Sequence, residues 1–224
     1  MKKSFCFTAG WLLVMGMTVL LWACVWGNKR YDLVSVLVMI LALAPFLFHF
    51  EQKKMTAANI TLLAVMSALS VVGRFVFAPI PFFKPVTAVV ILAGIYLGPF
   101  DGFLCGAVSA LVSNFYFGQG PWTPFQMVSW GLVGLIAGFL SPHLKNHKWL
   151  LYLFGICSGI FYSCMMDVWT ALWADGTLLW SRYLASVATA LPVMGIYCIS
   201  NVLFLLVLAG PIGRKLDHTI AKWG

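Results

Sequence analysis

Between Gly102 and Pro142 the chain carries no charged residue, its longest such run, and the middle of that run reads Gly118-Gln119-Gly120-Pro121-Trp122-Thr123-Pro124. Proline withholds a backbone donor and glycine costs helical order, so no helix continues through this segment. Its flanks are apolar stretches of membrane-spanning length, with Asn114 before the break and Gln126 and Trp130 after it. Irregular backbone at membrane depth is tolerated only where protein or water covers its polar groups. The break is therefore expected to roof or line a cavity.

With 62% hydrophobic and 9% charged residues, the chain departs from soluble domains, which carry about 25% charged residues. It reads as an all-α integral membrane protein with no room for a soluble domain. Apolar runs of roughly 17 to 25 residues each suffice to cross the hydrocarbon core. Eight candidates lie at about 7–27, 32–50, 56–77, 85–99, 102–117, 125–141, 149–172 and 184–210. The run at 85–99 is short and ends at Pro99, so it is expected to be tilted or partly re-entrant. The implied organisation is two N-terminal transmembrane helices in 1–54, a six-helix bundle over 55–212 and a basic tail at 213–224.

Lysine and arginine in short loops favour the cytoplasmic side. An inside N-terminus places Lys2, Lys3, Lys53, Lys54, Lys145, Lys148, Arg214, Lys215 and Lys222 inside, against Lys29, Arg30, Arg74, Lys84 and Arg182 outside. Both termini are assigned to the cytoplasm of a multi-pass cell-membrane protein. The net charge of +8 then reports topology and anionic lipid, not nucleic acid. A competing reading of the N-terminus is a cleaved leader, since Lys2-Lys3, an apolar stretch and Leu21-Trp22-Ala23-Cys24 resemble a lipoprotein-type signal. Trp22 stands where such sites want a small residue. The six cysteines are scattered without paired spacing, which indicates neither a disulfide framework nor a metal site.

From residue 55 onward small residues line up on helix faces. Ala57, Thr61, Ala64 and Ala68 share one face, as do Gly102, Gly106, Ala110 and Asn114; Gly155, Gly159 and Ser163; and Gly131, Gly134 and Gly138. Such stripes let membrane helices approach closely. Ionisable residues in the spans are few, so each is a candidate for function. Arg74 opens a stiff connector, Arg74 to Pro85, that includes Phe77 and Lys84. Arg74 and Lys84 either snorkel to the outer headgroups or belong to a lid whose donors reach ligand oxygens. Asp167 is a carboxylate in an apolar span that needs a partner, with Arg74 or Arg182 in reach of the inferred outer face. Asp101 reads as the N-cap of the helix beginning at Gly102. Trp173 and Trp180 suit the interfacial belt. Trp122 and Trp130 flank a helix start that carries Thr123 and Gln126, with Asn114 and Gln119 just before it. Flat apolar surface with amide donors and acceptors suits a neutral organic ligand.

Motifs for catalysis and for nucleotide binding are missing, namely a His-Glu-x-x-His, a Gly-x-Ser-x-Gly and a phosphate loop ending in Lys. Neither enzyme activity nor a cofactor nor a bound metal is expected. Residues 74–138 carry a resemblance. Arg74 through Pro85, Gly94-Ile95-Tyr96-Leu97-Gly98-Pro99, and Ser113-Asn114-Phe115 followed by Gly118 to Met127 resemble the substrate-binding S components of energy-coupling factor (ECF) transporters. Within these, the likeness is greatest to the cobalamin-type S component.

The resemblance implies a six-helix bundle that captures a vitamin outside, joins a membrane scaffold subunit and two cytoplasmic ATPases, and topples to release the ligand inside. It implies substrate contacts among Arg74, Phe77, Lys84, Asn114, Gln119, Trp122, Thr123, Gln126, Trp130 and Asp167. Ala64 and Ala68 match the family's Ala-x-x-x-Ala scaffold contact, on the face shared with Ala57 and Thr61. The two N-terminal spans depart from a six-helix S component. Three readings stay open: an S component for cobalamin, one for another vitamin, and a membrane enzyme acting on a lipid or isoprenoid through Asp167 and Arg74. A carrier driven alone by an ion gradient is a further alternative.

Overall fold

The computed structural model describes residues 57–175 and 178–223. The spans expected at 7–27 and 32–50, and the choice between a retained span and a cleaved leader, lie outside the described residues. Among the described residues seven helices follow one another: α1 (Ala57–Val76), α2 (Val86–Leu97), α3 (Pro99–Phe117), α4 (Thr123–Phe139), the short α5 (Ser141–Asn146), α6 (Lys148–Asp175) and α7 (Trp180–Trp223). Among the described residues there is no strand. By length and composition α1, α3, α6 and α7 are apolar enough to cross a membrane, and α2 and α4 are shorter apolar helices. The protein is an all-α membrane protein.

α2 is the centre of the bundle. It is apolar on every face, and every residue from Val86 to Ile95 is buried. α1, α3, α4 and α7 all pack against it. At 1.5 Å per residue its length is about 18 Å, well short of the roughly 30 Å hydrocarbon core. The short run at 85–99 is thus a helix embedded in protein.

What lets three helices converge there is the absence of side chains. A Cβ added at Gly94 of α2 would meet the backbone of Gly134 in α4, and one added at Gly134 would meet the backbone of Gly102 in α3. Backbone-to-backbone approach of this kind is the means by which apolar helices gain contact where no water is released. Gly98, at φ 110, makes the turn from α2 into α3.

Pro99 occupies the first helical position of α3, where a missing N–H costs nothing, and Gly98 is the N-cap, without a side-chain cap. Asp101 is therefore not the cap expected of it. It lies inside the first turn, where its charge complements the positive helix end. The break between α3 and α4 turns at Gly118, φ 102, and closes with Thr123 N–H donating to the Gly120 carbonyl at 2.9 Å.

α6 and α7 pair along Gly155 and Gly159, which face Leu205, Tyr197 and Cys198, and Asn201 Nδ2 donates to the Gly155 carbonyl at 3.0 Å. The tie between their ends is Arg182 with Asp175 at 2.8 Å. Arg182 is thus engaged by Asp175, not by Asp167. α7 runs 44 residues, with Pro192 and Pro211 inside it, and so continues beyond residue 210. Its extension returns to the bundle at the end far from the break. Gly213 lies against the Tyr96 ring, Leu216 is buried, and Asp217 pairs with Lys145 at 3.3 Å.

Gly134→Ala is expected to destabilise the purified protein by about 1–3 kcal/mol or more, because the added methyl overpacks a backbone contact. Gly195→Ala, whose Cβ would meet nothing within 4 Å, serves as the comparison and should be neutral or better. Thermal unfolding in detergent reads the difference, and equal stability of the two variants would contradict the packing described.

Candidate ligand-binding site

A cavity of about 400 Å³ lies over the start of α2, lined by Val86 and Thr87. Arg74 from the end of α1 and Pro81, Phe82 and Lys84 from the connector line one side. Gln126 and Trp130 of α4, Tyr162 of α6, and Tyr197 and Asn201 of α7 complete the wall, with Ala78 and Phe117 at its margin. The helical walls outrun α2 in length, so its short N-terminal end forms a floor.

Aromatic rings build much of the wall. Trp130 and Tyr162 stack with centroids 5.0 Å apart at 9°. Tyr197 meets Tyr162 edge-on at 5.2 Å and 85°, and Phe82 meets Tyr197 at 6.0 Å and 90°. Phe82 takes φ 60, a left-handed conformation that costs a residue with a Cβ about 1–2 kcal/mol. The connector accepts that cost where the ring faces Tyr197.

Behind the aromatic wall lies a chain of hydrogen bonds centred on Asn114, which is 1% exposed. Its Oδ1 accepts from Arg74 Nη1 at 2.8 Å. Its Nδ2 donates to Thr123 Oγ1 at 2.9 Å and to Gln126 Oε1 at 2.8 Å. Gln126 Nε2 then donates to the Tyr162 hydroxyl at 3.2 Å, while Arg74 Nη1 also donates to Ser113 Oγ. Thr123 Oγ1 donates to Gln119 Oε1 at 2.9 Å, and Gln119 Nε2 donates to the Leu111 carbonyl at 2.8 Å. One buried amide thereby fixes the arginine of α1 and the glutamine of α4 at the same wall.

Two cations take different parts. The Arg74 guanidinium lies 4.5 Å from the Phe117 ring and 5.3 Å from the Trp130 ring. The Lys84 ammonium donates to the carbonyls of Phe77, Ala78 at 3.2 Å and Ile80 at 2.7 Å, pinning the connector to itself. Burial, reinforced by the like charge of Arg74, holds the Lys84 pKa below its ordinary value.

Of the residues singled out in the sequence, Arg74, Lys84, Gln126 and Trp130 line the cavity. Asn114, Thr123 and Gln119 stand behind it in the hydrogen-bonded chain. Phe77 instead packs on Phe204 at 4.8 Å and Phe83 at 6.0 Å. Trp122 joins a separate cluster with Phe125, Trp169 and Leu172, against Gly120 of the turn. Asp167 is 7% exposed and outside the cavity wall. Its Oδ2 has no hydrogen-bond partner, and neither Arg74 nor Arg182 pairs with it. Tyr162, Tyr197, Asn201 and Phe82 were missed. Tyr197 and Asn201, four residues apart on one helix face, offered the available signal, an amide and a phenol in an apolar span.

Among the described residues no carboxylate, histidine or thiol lines the cavity, and no group of three or more His, Cys, Asp or Glu could hold a metal. The arrangement supplies surfaces and donors for holding a molecule. Fold and site together define an all-helical membrane protein with an aromatic-walled cavity of ligand size. Residues 54–218, most of the chain, match the family model described as "ECF-type riboflavin transporter, S component", and the chain belongs to that family. The family is that of a transporter component. The model is of the riboflavin type, and cobalamin specificity finds no support in it.

The chain is similar to a UPF0397 protein of Vibrio atlanticus (strain LGP32), 30% identical over 96 residues, covering 41% of this chain and 52% of that protein. It is also similar to UPF0397 proteins of Aliivibrio fischeri (strain MJ11), 32% identical over 97 residues with 41% and 52% covered, and of Aliivibrio salmonicida (strain LFI1238), 32% identical over 99 residues with 42% and 53% covered. The chain spans about half the length of these curated relatives. No solved structure matches it.

Asn114→Leu keeps the size of the side chain while removing its bonds to Arg74, Thr123 and Gln126. It should cost about 1–3 kcal/mol, since buried partners are left unpaired. Gln119→Ala, at an exposed position, should stay within about 0.5 kcal/mol of wild type. Thermal unfolding of both variants checks the pair, and a neutral Asn114→Leu would remove Asn114 from the centre of the network.

Proposed function

We propose that this chain is the vitamin-binding S subunit of an ECF importer and takes its ligand into the cavity above α2. The observation that carries the reading is the cavity itself, with a stacked Trp130–Tyr162 wall beside Gln126, Asn201 and Arg74. Its volume falls in the range of about 300–1,000 Å³ typical of small-molecule sites. Flat heterocycles with polar edges suit such walls. Riboflavin, the vitamin in the family's description, is the first candidate. Cobalamin is the second, favoured by the Asn114 and Gly118-to-Met127 string; a corrinoid is much larger than this cavity and would require Phe82 and Phe117 to part.

Ligand uptake would then depend on a scaffold subunit and two ATPases. Ala57, Thr61, Ala64 and Ala68 are all exposed along α1, which supports that face as the scaffold contact. In the same reading the protein lies in the cell membrane with both termini cytoplasmic and the cavity outward. Organisation of 55–212 as the binding unit, with 1–54 as an added pair of spans, belongs to the same reading. An acid-base enzyme built on Asp167 and Arg74 draws no support from a carboxylate that lies outside the cavity.

Titration of the detergent-purified chain with riboflavin, followed by quenching of flavin fluorescence, should show saturable binding. Trp130→Ala should weaken it tenfold or more, equivalent to about 1.4 kcal/mol, and Trp122→Ala should change it little. Labelled cobalamin in parallel separates the two vitamins; saturation by neither would refute both candidates. Ala64→Trp is expected to leave binding intact and abolish uptake by cells co-expressing the scaffold and ATPases. Undiminished uptake would clear that face of a role.

A further inference from the structure

The cavity offers donors and positive charge with no carboxylate to answer them. Arg74 and Lys84 both line it, and no aspartate or glutamate does among the described residues. The ion pairs among the described residues, Lys145 with Asp217 and Arg182 with Asp175, lie outside the cavity. Lys84 spends its ammonium on three carbonyls of the connector. Arg74 does not close its own account. Both of its hydrogen bonds leave from Nη1, to Ser113 and Asn114, so the Nη2 and Nε edge has no acceptor among the described residues. That edge is a planar fork suited to a carboxylate or phosphate.

A second feature, the start of the central helix, converges on the same space. α2 begins at the cavity with Val86 and Thr87, and its N-cap Pro85 provides no side-chain cap. A helix start carries unsatisfied amides and partial positive charge. A half-buried cation without an anion is unfavourable, and the helix end adds to it.

We propose that the ligand of this cavity carries an anionic oxygen group, a carboxylate or a phosphate monoester, held by Arg74 and the N-terminus of α2. The ring system of that ligand lies against Tyr162 and Tyr197. This inference rests on the reading of the chain as a vitamin-binding subunit and narrows it, since an acidic or phosphorylated form binds in preference to a neutral one.

Riboflavin and flavin mononucleotide share a ring system and differ by a phosphate, so they test the anion directly. With the full chain in detergent at fixed ionic strength, flavin mononucleotide should bind at least tenfold tighter than riboflavin. Arg74→Gln should erase that difference, and Arg182→Gln, which removes a peripheral positive charge, should keep it. Equal or weaker binding of the phosphate ester by wild type overturns the proposal without recourse to any variant, and leaves the vitamin-binding reading standing if riboflavin binds. If neither flavin binds, the flavin candidate fails and inorganic phosphate decides the anion. Titrated against chloride at constant ionic strength, phosphate should raise Tm saturably in wild type and Arg182→Gln, more weakly in Arg74→Lys, and not in Arg74→Gln. No rise in wild type, or the same rise in all four proteins, overturns the proposal.

Discussion

In an apolar interior a polar side chain must find a partner inside the protein, and Asn114 is where this chain meets that demand. It sits at the end of α3, just before the break, and uses one acceptor and both amide protons on residues from α1 and α4. Removing Asn114 takes a bond from Arg74, Thr123 and Gln126 at once. The position of Arg74 in the cavity, the orientation of Gln126 and the start of α4 at Thr123 therefore depend on one another. A wall of this kind is rigid because its polar groups have few alternative partners.

The second constraint is the mismatch between the central helix and its neighbours. α2 has 12 residues and is buried in protein, while α1, α3, α6 and α7 are each long enough to cross a membrane. A short helix surrounded by long ones leaves space at one end. The Phe- and Pro-rich connector crosses that space, pinned by Lys84, and brings Phe82 to Tyr197. The glycine seam among Gly94, Gly102 and Gly134 holds α2 close enough for the arrangement to close on its other side. The cavity thus follows from helix lengths and small-residue packing, with aromatic side chains shaping what remains.

Much of this was legible in the sequence, for reasons that differ by residue. The break and its flanking Asn114, Thr123 and Gln126 stand out because polar residues in a charge-free run have few uses. Arg74 and Lys84 stand out because ions in apolar surroundings are rare. Tyr162, Tyr197 and Asn201 were not found, since their convergence is decided by how α6 and α7 pack on α2, which no local pattern encodes. Residue type misled at Trp122 and Asp167, which occupy other surroundings, and at Asp101, where Pro99 starts the helix earlier than the apolar run suggests.

In the proposed function, ligand occupies the space between the connector and the Trp130–Tyr162 wall. A ligand-bound structure of the full chain, determined by cryo-electron microscopy with its partner subunits or a bound antibody fragment, tests it most directly. The expected density is a flat ring system against Tyr162 and Tyr197, with polar edges at Gln126 and Arg74. Ligand density beside Asp167 or among Trp173 and Trp180, with the cavity above α2 unfilled, would contradict it.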